Sequence, residues 1–242
     1  MSANRLTYAI HSDHILLKLF VLGAILVSSG RHVVLAGGSS KVVAGRRAIV
    51  CDERLSVLRT RPEIAAPFVQ RLRRGRVIGI TGVSPGRDGD RFYRVVVSSR
   101  TEGWILADAV ARAGVESDLQ KLIRMVESEV DGYARVKLAS LMVTEFGRTR
   151  AAPMALLLLG ESADDVADQL TRVANRRLKS LSSRRELYML NDVGLDRYSR
   201  LGIRFRFEAA EERLVYDGAA YRILLRRYPR SLEAKSARAR LK

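Results

Sequence analysis

The chain has 242 residues, 47% hydrophobic and 29% charged, a balance that excludes global disorder and suffices for one large core or two modest ones. Its formal net charge of +17 comes almost wholly from arginine. That excess points to polyanionic partners (nucleic acid, anionic lipid or acidic wall polymer) or to a dispersed solvated surface. The single cysteine, Cys51, excludes an intramolecular disulfide.

In chain order, Arg5 and Lys18 precede an apolar run, Leu19–Val27, which is followed by Ser28, Ser29 and Gly30. A positive region, a short apolar core and a small-residue exit predict a secretory signal peptide over residues 1–36, cleaved after Gly30 or Ala36. The run is too short to span a bilayer core of about 30 Å. A buried N-terminal helix or an uncleaved anchor is the alternative. Residues 37–45 read as a linker. All three histidines, His11, His14 and His32, lie in this leader or at its edge. Cleavage after Ala36 therefore leaves a chain without Ser-His or Cys-His chemistry and without a histidine zinc site.

Residues 46–112 carry five short β-rich runs: AIVC, LSVLR, RVIGIT, RFYRVVV and GWIL. Turn chemistry separates them at Arg61-Pro62, Arg74-Gly75, SPGRDGD and SSRTEG, a spacing that predicts a small barrel. Cys51 reads as an apolar strand residue in the first run, with a reactive thiol as the alternative. Alternation in RFYRVVV places Tyr93, Val95 and Val97 on a core face and Phe92, Arg94 and Val96 on the other. Phe92 is thereby expected to be exposed beside Arg94 and Arg59, able to stack on a sugar ring or a peptide. The glycine-rich stretch GVSPGRDGD lies between two β patterns and reads as a hairpin loop, since no helix follows to form a phosphate cradle.

These residues resemble the bacterial SH3-like (Src-homology-3-type) domain of exported envelope proteins. Leu55 and Val57 match its first strand, and Leu72, Gly75 and Ile78 its strand-turn-strand centre. Phe92, Tyr93 and Val95 match its aromatic strand; Gly103, Trp104, Ile105 and Val110 match its closing signature. The stretch Leu58-Arg59-Thr60-Arg61-Pro62 departs from the family's shorter turn beside the ligand groove. The resemblance implies that Trp104 caps the barrel and borders a groove. Phe92, Trp104, Arg59 and Arg94 are then the expected ligand-binding residues.

From 115 to 242 the apolar period becomes helical. Leu119, Leu122, Val126 and Val130 open it, and Gly147 and Pro153 punctuate it. Ser162-Ala163-Asp164-Asp165 reads as a capping signal, SLSSRRE at 180–186 as a polar gap, and 208–228 as a long helix stopped by Pro229. Ser231 is placed to cap a final helix. Ala220, Tyr221, Tyr228, Pro229, Ser231, Ala234 and Ala237 resemble tetratricopeptide-type repeats of envelope assembly proteins; a plain helical bundle is the alternative. Arg222, Arg226, Arg227, Arg230, Arg238 and Arg240 form a basic stripe, either a solvated face or a contact for an acidic partner. The expected fold is thus β then α in two domains: a small SH3-like β-barrel, then a tetratricopeptide-like all-α domain.

No P-loop is present, and no G-x-G-x-x-G follows a strand. The adjacent carboxylates Asp164-Asp165 and Glu211-Glu212 would diverge by about 100° on a helix. The expectation is a non-catalytic exported envelope adaptor without metal or cofactor, binding an envelope protein or a cell-wall polymer such as peptidoglycan. Membrane contact is expected only through an uncleaved leader. The alternative, a cytoplasmic nucleic-acid-binding protein, rests on charge and lacks an aromatic-interleaved basic motif. A third reading is a non-catalytic partner of a wall hydrolase.

Overall fold

A computed structural model describes residues 46–87, 89–177 and 194–241. The expected leader (1–36), linker (37–45) and serine-rich gap (180–186) lie outside the described residues. The described part opens with seven strands: β1 (Arg46–Val50), β2 (Val57–Arg59), β3 (Phe68–Arg71), β4 (Val77–Pro85), β5 (Arg91–Ser98), β6 (Thr101–Leu106) and β7 (Val110–Arg112). They form one antiparallel sheet in the order β3-β2-β6-β5-β4-β1-β7.

The expected closed barrel is not what forms. The terminal strands β3 and β7 do not pair with each other, so the sheet stays open. The physical reason lies in β1. Ala48 and Val50 point into the sheet's own apolar cluster with Leu58, Ile78, Val95 and Ile105. Ile49, between them, joins a second core made mainly by helices, as does Ala111 of β7. A strand buried on both faces cannot present the polar exterior of an isolated barrel. Sheet and helices accordingly belong to one compact unit, Ser40–Lys242, rather than to separate domains at 46–112 and 115–242.

Six α-helices follow among the described residues: α1 (Leu119–Glu127), α2 (Gly132–Phe146), α3 (Ala152–Arg177), α4 (Asp196–Ser199), α5 (Ala219–Arg227) and α6 (Leu232–Arg240). The Asp131 side chain caps α2 by accepting from the Ala134 N–H at 2.7 Å. Pro153 sits in the first turn of α3, where a missing N–H costs nothing. Ser162 is interior to α3 and no cap: its hydroxyl donates to the Leu158 carbonyl at 2.7 Å.

The second half is not all-α either. Strands β8 (Phe205–Glu208) and β9 (Arg213–Tyr216) make a hairpin where a single helix from 208 to 228 is expected. Tertiary anchoring explains it. The Leu214 N–H donates to Thr171 Oγ1 of α3 at 2.9 Å, and Leu214 is fully buried. An edge-on series of rings, Tyr133–Tyr198–Phe205–Tyr216–Tyr221, runs through the hairpin with centroids 5.4–6.4 Å apart. Tyr221 packs its ring against Gly160, where any Cβ would collide with it, and its hydroxyl donates to Asp164 at 2.6 Å. Only α5 and α6 form the helix pair expected at the end, with Ser231 accepting from the Ala234 N–H at 3.3 Å.

Candidate ligand-binding face of the sheet

Cross-strand register places four side chains in one line. Phe68 of β3 lies opposite Arg59 of β2, Arg59 opposite Trp104 of β6, and Trp104 opposite Arg94 of β5. Directly opposed residues share a face, and neighbouring strands lie about 4.8 Å apart. The row Phe68–Arg59–Trp104–Arg94 therefore alternates ring and cation over roughly 14 Å. It lies on the face opposite Leu58, Val95 and Ile105, since residues adjacent in a strand point to opposite sides. Phe68 is 63% exposed, Trp104 and Arg59 are partly buried, and Arg94 is exposed.

Gly103 makes this row possible. A Cβ there would come within 2.7 Å of the Arg59 carbonyl oxygen and 2.8 Å of Leu58 Cγ. Only glycine lets β6 approach β2 closely enough to set the indole beside Arg59. Arg59 Nη1 donates to the Ala66 carbonyl at 2.7 Å, which orients the guanidinium. Arg94 donates to Glu102 at 3.0 Å, with both side chains about half exposed. Such a pair is worth little and yields readily to a competing anion.

Phe92 departs from expectation. Its backbone position shares the outward face with Arg94, opposite Leu106 and Ser84, yet it is only 1% exposed. The β4–β5 turn folds back over it: a Cβ on Gly86 would lie 2.8 Å from the ring, and the Gly86 N–H bonds the Asp90 carbonyl at 2.6 Å. Glu63 of the β2–β3 loop reaches Arg87 of that turn at 3.4 Å, and Ala66 in the same loop is 2% exposed. Phe92 is thus a buried support and not a ligand contact. Of the four expected residues, Arg59, Trp104 and Arg94 come together. Phe68 is the one sequence reading missed, because FVQR is short, follows Pro67 and pairs through a bulge at Leu58/Arg59.

Elsewhere the chemistry is structural. Burial raises the Cys51 thiol to about 12, which makes it a poor nucleophile near neutrality. Asp118 accepts from the Arg112 N–H at 2.9 Å and from Arg112 Nε at 2.8 Å, joining β7 to the turn before α1. A cleft of about 300 Å³ beside Gly132, Gln169 and Arg172 is edged by an Arg135–Asp165 ion pair of 3.1 Å. Among the described residues, no group of three or more His, Cys, Asp or Glu side chains is placed to hold a metal ion, and no helix is long and apolar enough to cross a membrane. No protein-family model, curated protein or solved structure matches this chain.

Proposed function

We propose that this protein is a non-catalytic envelope adaptor that holds an acidic cell-wall polymer against the outward face of its sheet. The observation that carries the reading is the Phe68–Arg59–Trp104–Arg94 row. Rings at alternate positions stack on sugar faces, and the interleaved guanidinium groups pair with carboxylates of the polymer. The leader-like order of residues 1–36 and the histidine-free remainder of the chain agree with an exported, non-catalytic role.

Trp104 is the chain's single tryptophan, so its emission reports on this face alone. Titration with soluble peptidoglycan fragments is expected to shift Trp104 fluorescence saturably. Arg59→Ala and Phe68→Ala should each weaken that response by about tenfold, as expected for contacts worth 1–2 kcal/mol. The second reading, nucleic-acid binding, is favoured by the net charge of +17. It wins if single-stranded oligonucleotide shifts the emission with a steep salt dependence while wall fragments leave it unchanged.

A further inference from the structure

The basic stripe at the end of the chain gains a second half from the fold. The last turn of α5 carries Arg226 and Arg227, and the turn that leads to α6 carries Arg230, all exposed. Tyr228 within it donates its hydroxyl to the Gly147 carbonyl at 3.4 Å. That bond brings the α2–α3 loop, with exposed Arg148 and Arg150, to the same end of the helical layer. None of these five arginines makes an ion pair among the described residues, although eleven such pairs form elsewhere among them. Glu145 is nearby but is bound to Arg47 at 2.7 Å, which leaves Glu233 as the acidic residue of the α5–α6 turn and the start of α6. Arg238 folds back to donate to the Pro229 carbonyl at 2.7 Å and adds its charge to the same turn.

One large apolar side chain stands in this cluster. Leu232, the first residue of α6, is 90% exposed. The Ser231 cap fixes the helix start and so holds Leu232 in water. Unpaired cations around a projecting leucine match an anionic lipid surface: headgroups take the charges, and the leucine enters the boundary of the acyl region. The same cluster fits single-stranded nucleic acid less well. Its aromatic residue, Tyr228, is partly buried with its hydroxyl bonded inward, so no free ring is offered for base stacking.

We infer that the α2–α3 and α5–α6 turns form a docking surface for an anionic lipid bilayer, with Leu232 as its apolar contact. The surface is separate from the sheet row and does not depend on the wall-polymer reading.

The test compares full-length protein on vesicles of phosphatidylcholine alone and on vesicles with about one third phosphatidylglycerol. The readout is the ratio of the two partition coefficients, which cancels any charge-independent contribution from the apolar run Leu19–Val27. The ratio should be large and should fall about fivefold for each of Arg226→Ala, Arg227→Ala and Arg230→Ala. Arg100→Ala, in the exposed β5–β6 turn, should leave it unchanged. A Leu232→Cys variant can be labelled selectively with an environment-sensitive dye, because the Cys51 thiol is shifted to about 12. Its emission should move to the blue on anionic vesicles and stay unmoved on single-stranded DNA. Equal partitioning on both vesicles, indifference to the arginine changes, or a dye response to DNA alone would each overturn the inference.

Discussion

Truncating Phe92 removes a ring that is 1% exposed and leaves a void beneath the β4–β5 turn. Phe92→Ala should therefore lower stability by about 3–5 kcal/mol. Trp104→Ala should cost much less and act mainly on the binding of wall fragments, which calorimetry reads in a variant that lacks the reporting indole. Denaturant titration of the two variants followed by far-UV circular dichroism separates these outcomes; equal losses would remove Trp104 from the role of an accessible ring. Alternation in RFYRVVV correctly assigns Phe92 and Arg94 to one side of β5. It carries no information about the turn that lies over Phe92, because period 2 describes a strand and not what covers it. The G-W step singles out Trp104, but the role of Gly103 inside β6, admitting the close approach of β2, depends on Arg59 and Leu58 and is not written in that step.

Elements join through a small number of directed contacts. Asp118 is the clearest. Burial pushes its carboxyl upward, but the hydrogen bonds and charge of Arg112 outweigh this and hold it below the ordinary 3.8. The native carboxylate is thus favoured, and its contribution is fully present above that ordinary value. It is lost as pH falls through the lower native value. Asp118→Asn should cost about 2 kcal/mol at neutral pH, as for hydrogen bonds to a charged group. The gap between variant and parent should close in acid, and chemical denaturation at pH 7 and near pH 3 reads this directly. A gap of constant size would assign the contribution to shape rather than charge. Helices α1, α2 and α6 were largely visible in apolar spacing and in Ser231, whereas the capping signal at Ser162 divides α3, which is a single helix. The β8–β9 hairpin was not. Its runs are four residues each, and what holds them is Thr171 and the ring of Tyr221 against Gly160, partners remote in sequence.

At the level of the whole molecule, two sequence patterns with different periods form one compact unit. The change of period near residue 115 suggests a domain boundary, and the real organisation runs across it. Ile49 and Ala111 sit in the helical core, with Cys51 and Val77 packed against it. A fragment of residues 46–112 should expose that apolar strip, bind a hydrophobic dye and melt without a cooperative transition. The full chain should unfold its sheet and helices together. Coincident transitions of Trp104 emission and far-UV ellipticity would confirm the single unit; well-separated midpoints would restore two domains.

The double-sided burial of β1 also sets an order of events during synthesis. This strand emerges before every other described element, yet it needs β4 from Val77 onward on one edge and β7 at Val110–Arg112 on the other. Ile49 waits longer still, for helices that follow residue 118. Until then, RRAIV is a bare apolar strand with both edges open, the state most prone to pair with a wrong partner. Arg47 near its start is well placed to keep nascent copies of that strand apart.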